Sequence, residues 1–354
     1  MECKFKIFYD KGYYTWMVDK LTAYKIVLEV GCGTGYSTLA LVERGYKVIA
    51  VGHRKSDNGF FADYNIPYYS VNISNSEDFK KLPSENIDLV AHFAGALPAS
   101  MEGYNGTLYI DSIVKGTYNV LEFMRKNGIP KIIFPQSLFD ISYLFGSKEP
   151  IPADVEMRPP LEGDHAMYVI AKIAAVQIIE HYYKVHGIKR FIIRLSRVYV
   201  YHPNPYTYTD GVKTLISDRL LIQKAERGEP ISIWGDPNVL LETCCVKDFL
   251  QIVEKCADSP LDGGLYNIGS GGSTLDERVH AIVDVFSPSS NKSPITYDVN
   301  HKYNATQFVL DISKTRAELG YEPKYSWKDY CVWFKKEREL QRFAKLWGTE
   351  ENYK

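Results

Sequence analysis

Apolar and polar positions fall along this chain in alternating blocks. A β-branched run at 26–30 leads into a glycine-rich turn, then an amphipathic stretch from Ser37 to Arg44, then a second apolar run at 47–51. Short apolar runs follow at 67–73, 88–96 and 131–134, and a helical pattern over about 112–127 closes on Gly128. Apolar runs separated by helical segments predict a parallel sheet with helices on both faces. The expected fold class is α/β, a doubly wound parallel sheet over 25–195 to which later segments return, with a smaller α/β lobe drawn mostly from 196–345. Residues 1–24 read as an extension before the first core strand.

The turn between the first two runs is Gly31-Cys32-Gly33-Thr34-Gly35. Glycines between a strand and a helix let main-chain N–H groups approach a phosphate or ribose, and the helix N-terminus favours negative charge. A nucleotide-bearing cofactor is therefore expected over Gly31, Gly33, Thr34 and Gly35. The spacing departs from the dinucleotide patterns GxGxxG and GxxGxxG. Glu29 followed by glycines at 31, 33 and 35 resembles the first motif of S-adenosylmethionine methyltransferases, so this window alone leaves both cofactors open. At the end of the second strand, where Asp or Glu usually holds ribose hydroxyls, stands Gly52, with Arg54 and Lys55 beyond it. A small residue followed by a guanidinium suits a 2′-phosphate and tilts the reading from NAD toward NADP. Asn72 and Ile73 are expected beside an adenine ring, and Ala94 and Gly95 where a backbone can approach the cofactor closely.

Composition removes several alternatives. Lysine plus arginine number 42 against 43 acids, a net charge of −1, which gives no electrostatic reason for a nucleic-acid or membrane partner. No apolar run reaches a membrane span and residues 1–23 lack the apolar core of a signal peptide, so a cytoplasmic protein is expected. The six cysteines, at 3, 32, 244, 245, 256 and 331, show no CxxC spacing and no histidine rhythm; no metal site is expected, and reduced thiols are the default. Cys244 and Cys245, adjacent on a strand, would point to opposite faces as packing residues.

The candidate chemistry lies further along. Tyr168-Val169-Ile170-Ala171-Lys172 places a phenol and an ammonium on one face of a helix. A nearby ammonium stabilises phenolate, which would lower the phenol's pKa from about 10 and let it take a hydroxyl proton nearer neutral pH. Ser137 ends an earlier strand, where open α/β sheets bind their ligands. Asp164 and His165 read as caps of the helix bearing Tyr168, and Glu242 and Lys247 as surface or lobe residues.

Other segments keep a recognisable order. Ala91-His92-Phe93-Ala94-Gly95, Gly116-Thr117-Tyr118-Asn119-Val120-Leu121-Glu122, a strand end at Pro135-Gln136-Ser137, the YxxxK pair, Ile193-Arg194-Leu195-Ser196-Arg197-Val198-Tyr199 and Trp234-Gly235-Asp236, the last read as part of a hairpin, follow one another. In this order they resemble the extended short-chain dehydrogenase/reductase family, the NAD-dependent epimerases and dehydratases that mostly act on nucleotide sugars. The resemblance covers roughly residues 25–340. It implies a Rossmann-type fold with a substrate lobe, NAD or NADP as cofactor, and a hydride-transfer site at a sugar hydroxyl. In that site Tyr168 is the acid/base, Ser137 the polariser, and Lys172 also holds the nicotinamide ribose. A homodimer through the GTxNxLE and YxxxK helices is implied too.

The departures matter as well. Leu241 and His301 stand where such enzymes often carry arginines for a sugar nucleotide's diphosphate, Arg197 replaces a common asparagine and becomes the expected substrate-binding residue, and Ile113 replaces another asparagine. The helix after the glycine loop reads about a turn short. Two rivals therefore stay open: a cofactor-binding protein or reductase with altered or lost sugar-nucleotide specificity, and a methyltransferase.

Overall fold

The computed structural model describes residues 25–301 and 306–354; the leading segment 1–24, read as an extension, lies outside the described residues. Strands β1 (Ile26–Val30), β2 (Lys47–Gly52), β3 (Tyr68–Ser70), β4 (Leu89–His92), β5 (Lys131–Ser137), β6 (Lys189–Leu195) and β7 (Gly263–Ile268) form one sheet in the order β7-β6-β5-β4-β1-β2-β3. All its pairings are parallel. The helices are α1 (Tyr36–Glu43), α2 (Gly106–Tyr109), α3 (Gly116–Lys126), α4 (Ala166–His186), α5 (Ser217–Arg227), α6 (Val246–Asp258), α7 (Leu275–Phe286), α8 (Ser313–Leu319), α9 (Trp327–Leu340) and α10 (Ala344–Trp347). The doubly wound sheet expected from the block pattern is the architecture.

The strands are apolar on both faces because both faces are covered. Leu28, Val30, Val90, Ile132 and Phe134 pack with Val120, Leu121, Val176 and Ile179 of α3 and α4. Val27, Leu89, Ala91, Ile133 and Ile193 pack with Ile252 and Val253 of α6. Each such side chain taken from water contributes roughly 1.5–3 kcal/mol, which favours continuous apolar strands over alternating ones. Cys244 and Cys245 are both buried and join different apolar clusters, the opposite-face packing expected of them.

Strand order reverses between β1 and β4, and that switch opens a crevice at the carboxyl ends of the strands. The main-chain N–H groups of Phe93 and Ala94 both donate to the Val30 carbonyl, at 2.7 and 2.9 Å, drawing the two loops together. A Cβ on Gly31 would lie 2.4 Å from the Ala94 nitrogen, so only glycine fits there.

Three expectations need correction. The helix expected over 112–127 begins at Gly106, where the Asn105 side chain accepts from the Leu108 N–H, and passes through a π-helical turn at Ile110–Lys115 before α3. The Ile231–Trp234 strand, expected in a hairpin, instead pairs in parallel with Ile295–Asp298, so its partner comes from far along the chain. Glu242, read as a surface or lobe residue, is not on the surface. Buried to 3 % exposure, it accepts from the N–H groups of Thr243, Ser270, Gly272 and Leu310 at 2.8–3.2 Å, tying three loops together.

A buried ion pair completes the frame. Arg194 on β6 forks onto both oxygens of Asp140 at 2.9 and 3.0 Å and bonds the Ala153 carbonyl and Asn267 of β7, with both charged groups wholly buried. An arginine inside an apolar strand was the available signal for it, since a charge there must be paired.

Candidate functional site

The glycine loop is held from several sides. Gly31 and Cys32 donate main-chain N–H bonds to the Val51 carbonyl at 2.8 and 3.0 Å, and Gly35 donates to the Cys32 carbonyl at 2.8 Å. Exposed Gly33 and half-buried Thr34 form the turn. Gly35, in the left-handed conformation, is the N-cap of α1, an eight-residue helix as short as the spacing predicted. Glu29 does not face this loop's outer surface. Its buried carboxylate accepts hydrogen bonds from the hydroxyls of Ser37 and Thr38 and so fastens β1 to the first turn of α1; burial raises its pKa. An acid consumed in this way is unavailable to a ligand, which removes the ground for the methyltransferase reading.

At the end of β2, a Cβ on Gly52 would meet the Tyr68 hydroxyl at 2.8 Å, and that hydroxyl donates to the Arg54 carbonyl at 2.8 Å. Tyr68 thus occupies the place a ribose-binding carboxylate would need. The Arg54 guanidinium, read as a phosphate grip, is engaged elsewhere. It donates to the Gly33 carbonyl at 3.0 Å and the Leu346 carbonyl at 3.5 Å, and lies 3.6 Å above the centre of the Trp347 ring. Lys55 is exposed. Past β3, the Asn72 side chain accepts from the N–H and hydroxyl of Ser74, and the Ile73 carbonyl accepts from the buried Asn119 amide at 2.8 Å. Ile73 itself is 8 % exposed and packs on Gly116, so it is largely core.

Ala94 and Gly95 are half-buried at the end of β4, beside the crevice. Below them His92 is wholly buried, its Nε2 3.0 Å from the Thr117 hydroxyl and its Nδ1 without a partner. Burial first, and Lys172 second, lower its pKa to about 3, so the ring is neutral.

Tyr168 and Lys172 lie on one face of α4, with the ammonium 6.0 Å from the phenol ring. Lys172 is 4 % exposed; it donates to the Pro135 carbonyl at 2.8 Å and stands 4.2 Å over the Phe134 ring. That bond joins it to β5 two residues before Ser137. Burial lowers the ammonium's pKa to about 7. The Ser137 hydroxyl accepts from the Phe139 N–H at 3.2 Å, and its own proton stays available. The expectation that Lys172 lowers the Tyr168 pKa does not hold here. Burial, followed by Tyr109 at 6.0 Å between rings, pushes the phenol up, and the ammonium bonds a carbonyl instead. Nor does His165 cap α4 through its side chain: it sits at the N-cap without such a bond, its ring stacked on Phe139 at 4.1 Å.

The expected substrate-side residues are dispersed. Arg197 is exposed and 3.8 Å from Asp218, Leu241 is half-buried in a two-residue strand, and His301 stacks on Trp234 at 4.0 Å. Lys247 lies 4.8 Å from the Tyr325 ring centre. Sequence reasoning passed over Arg278, which is buried and bonds the Ser273 and Tyr199 hydroxyls and the carbonyls of Leu241 and Glu242. Among the described residues no cluster of His, Cys, Asp and Glu has the geometry to hold a metal ion, and no helix is long and apolar enough to cross a membrane.

The arrangement matches known proteins. The family model for the NAD dependent epimerase/dehydratase family matches residues 34–269. A putative UDP-glucose 4-epimerase of Methanocaldococcus jannaschii is 26% identical over 296 residues, 82% of this chain and 89% of that protein. A UDP-glucuronate 4-epimerase of Thermodesulfobacterium geofontis is 25% identical, over 80% of this chain and 83% of its own. Among solved structures, UDP-glucose 4-epimerase of Thermotoga maritima, with UDP-glucose, superposes with a TM-score of 0.68 at 22% identity, covering 90% of this chain and 99% of that one. The dTDP-glucose 4,6-dehydratase of Bacillus anthracis, in complex with NAD, gives 0.68 at 20% identity, covering 94% and 100%. With two-thirds of its length inside the family model and the same fold as these enzymes, the chain belongs to the NAD dependent epimerase/dehydratase family.

Proposed function

We propose that the protein oxidises a hydroxyl of a nucleotide sugar by hydride transfer and, by returning the hydride, epimerises or dehydrates the sugar. The observation that carries this reading is the placement of Lys172, bonded to the Pro135 carbonyl two residues before Ser137 and 6.0 Å from the Tyr168 ring. The crevice suits a dinucleotide because Gly31 admits the Ala94 backbone so closely that the two loops leave main chain, not side chains, at their junction. Gly31, Gly33, Thr34 and Gly35 would hold its phosphates, Ala94 and Gly95 would line its path, and Lys172 would bond the nicotinamide ribose. Asn72 and Ile73 would border the adenine through main chain, as their side chains are committed elsewhere. When bound, the nicotinamide accepts or returns a hydride.

The chain's own groups manage the proton. Tyr168 takes the proton of the substrate hydroxyl and later gives it back, while Ser137 donates to the reacting oxygen. With burial raising the phenol's pKa, deprotonation would need positive charge close by, which Lys172 would supply on turning from the Pro135 carbonyl toward the phenol. Arg197, released from Asp218, would meet a substrate phosphate. The cofactor is a nicotinamide dinucleotide, and the earlier tilt toward NADP loses its main support because Arg54 is engaged; NAD is the preferred form. The exposed Leu108 and Tyr118 offer an apolar face on the helices expected to pair in a homodimer, and five buried thiols suit a cytoplasmic enzyme.

Turnover of UDP-glucose, UDP-glucuronate and dTDP-glucose tests the reading. Tyr168→Phe should lower the active reaction about 10²–10⁴-fold while dinucleotide binding persists; unchanged turnover would sink the assignment. Leu241, His301 and the exposed Arg197 favour a second reading, a cofactor-binding protein or reductase with altered or lost sugar-nucleotide specificity. Dinucleotide binding with no turnover of any sugar nucleotide in a wider panel would select it.

A further inference from the structure

Beyond α9 the chain doubles back. Gln341 adopts a left-handed turn, and the next thirteen residues run across the outer side of the glycine loop. Phe343 lies tilted against Tyr36 at 4.1 Å between ring centres, and Phe343 and Leu346 close on Gly35 so tightly that a Cβ there would lie 3.2–3.3 Å from them. On one flank the Asn58 amide bonds the Lys345 carbonyl at 2.9 Å and Lys345 pairs with Asp63. On the other, Glu350 accepts from Arg219 at 2.7 Å, and Trp347 meets His202 edge-on at 4.5 Å. Between Thr34, His202 and Trp347 the remaining space is about 10 Å³, room for one water at most.

We propose that this C-terminal segment is the cofactor-specificity element of the enzyme: Trp347 and the Leu346 carbonyl hold Arg54 against the glycine loop, so the site rejects a 2′-phosphate and selects NAD. The inference rests on the nicotinamide-dinucleotide reading above. Its physical basis is the fork geometry of arginine. A phosphate gripped by a guanidinium takes two parallel N–H bonds in the guanidinium plane. In Arg54, Nη1 and Nη2 already donate to carbonyls on the loop and on the segment, and one π face rests on Trp347. A two-bond grip on a 2′-phosphate through the Nη1 and Nη2 edge would compete with these contacts; binding NAD makes no such demand. Removing the indole frees the guanidinium, and the residue that sequence alone marks as a phosphate ligand then becomes one.

The test is titration of NAD⁺ and NADP⁺ into the full-length protein by isothermal calorimetry, with circular dichroism to confirm folding of each variant. Wild type should bind NADP⁺ at least about tenfold more weakly than NAD⁺. Trp347→Ala should tighten NADP⁺ about tenfold while changing NAD⁺ less than about threefold. Trp347→Leu, which keeps apolar cover over His202, should behave alike, Trp347→Phe should restore the wild-type preference, and adding Arg54→Ala to Trp347→Ala should abolish the gain. An unchanged NADP⁺/NAD⁺ ratio in both the Ala and Leu variants, or equal binding of the two by wild type, overturns the proposal. Binding of neither dinucleotide to wild type would overturn the nicotinamide reading itself, and the clasp with it.

Discussion

The two ends of the crevice treat their polar groups in opposite ways. Around β1 and β2 the charged side chains are engaged, although the buried Trp347 indole N–H there has no partner: Glu29 holds two hydroxyls, Arg54 two carbonyls and the face of an indole, and the Asn72 amide oxygen a local turn. Around β4 and β5 they are under-supplied. Lys172 is buried on a single carbonyl, His92 keeps a ring nitrogen without a partner, and the pKa of Tyr168 is pushed up by burial. A saturated group stabilises the fold and does little else, whereas a buried, poorly partnered one costs stability and is available to a ligand. Substitutions should therefore have opposite signs at the two ends.

The largest effect expected is at the junction. Gly31→Ala places a Cβ 2.4 Å from the Ala94 nitrogen, at a φ of +95° that disfavours any side chain. Strain and overpacking together should cost at least about 3 kcal/mol, read as a lower urea midpoint with an unchanged slope. A loss under about 1 kcal/mol would show that the loops part easily and that the crevice is not preformed. Next comes Glu29→Ala, which strands the Ser37 and Thr38 hydroxyls at the start of α1. Removing two hydrogen bonds to a buried carboxylate should destabilise by about 2–3 kcal/mol, measured by the same denaturation. A neutral outcome would mean that this end is not saturated in the sense described.

Lys172→Met should go the other way in the cofactor-free protein. With its folded pKa near 7 and its ordinary value at 10.5, Lys172 is protonated in both folded and unfolded chains below pH 7, so the fold there bears the whole cost of burying the charge. From pH 7 to 10.5 only the unfolded chain keeps the proton, and wild-type stability rises through that window. The variant should be more stable than wild type by on the order of 2–4 kcal/mol at pH 6, after allowing for the lost bond to Pro135, with the advantage fading by pH 10.5. Destabilisation at pH 6 would contradict the comparison directly.

How much of this was legible in the chain differs between the ends for a physical reason. The sheet, the YxxxK pair and the strand-end serine are local patterns, set by the period of strands and helices, and they could be read from one segment at a time. The role of Arg54 could not, because the groups that engage it, Leu346 and Trp347, lie at the far end of the chain and only folding brings them together. The same holds for Gly52, which looks like a missing carboxylate until Tyr68 is seen across it. Asn105 is different: an Asn before a helix is a local signal, and it marked the true start of the helix that the apolar pattern placed later. Glu29 left two cofactors open for the opposite reason, since its position matched a ligand-binding motif while the residues that engage it, Ser37 and Thr38, stood only eight and nine residues further on.

The smallest effect expected separates a clasp from a keystone. Arg54→Ala removes a cation–π contact and two bonds to carbonyls on a half-buried side chain, worth about 0.5–1 kcal/mol in total. The C-terminal segment should stay in place without it, because Phe343, Lys345 and Glu350 fasten it to Tyr36, Asp63 and Arg219 independently. Hydrogen exchange over residues 341–354 should therefore remain within about threefold of wild type. Exchange rising throughout that segment, with a stability loss as large as that of Glu29→Ala, would mean that Arg54 holds the segment rather than the segment holding Arg54. The direction of restraint on which the cofactor preference is argued would then be reversed.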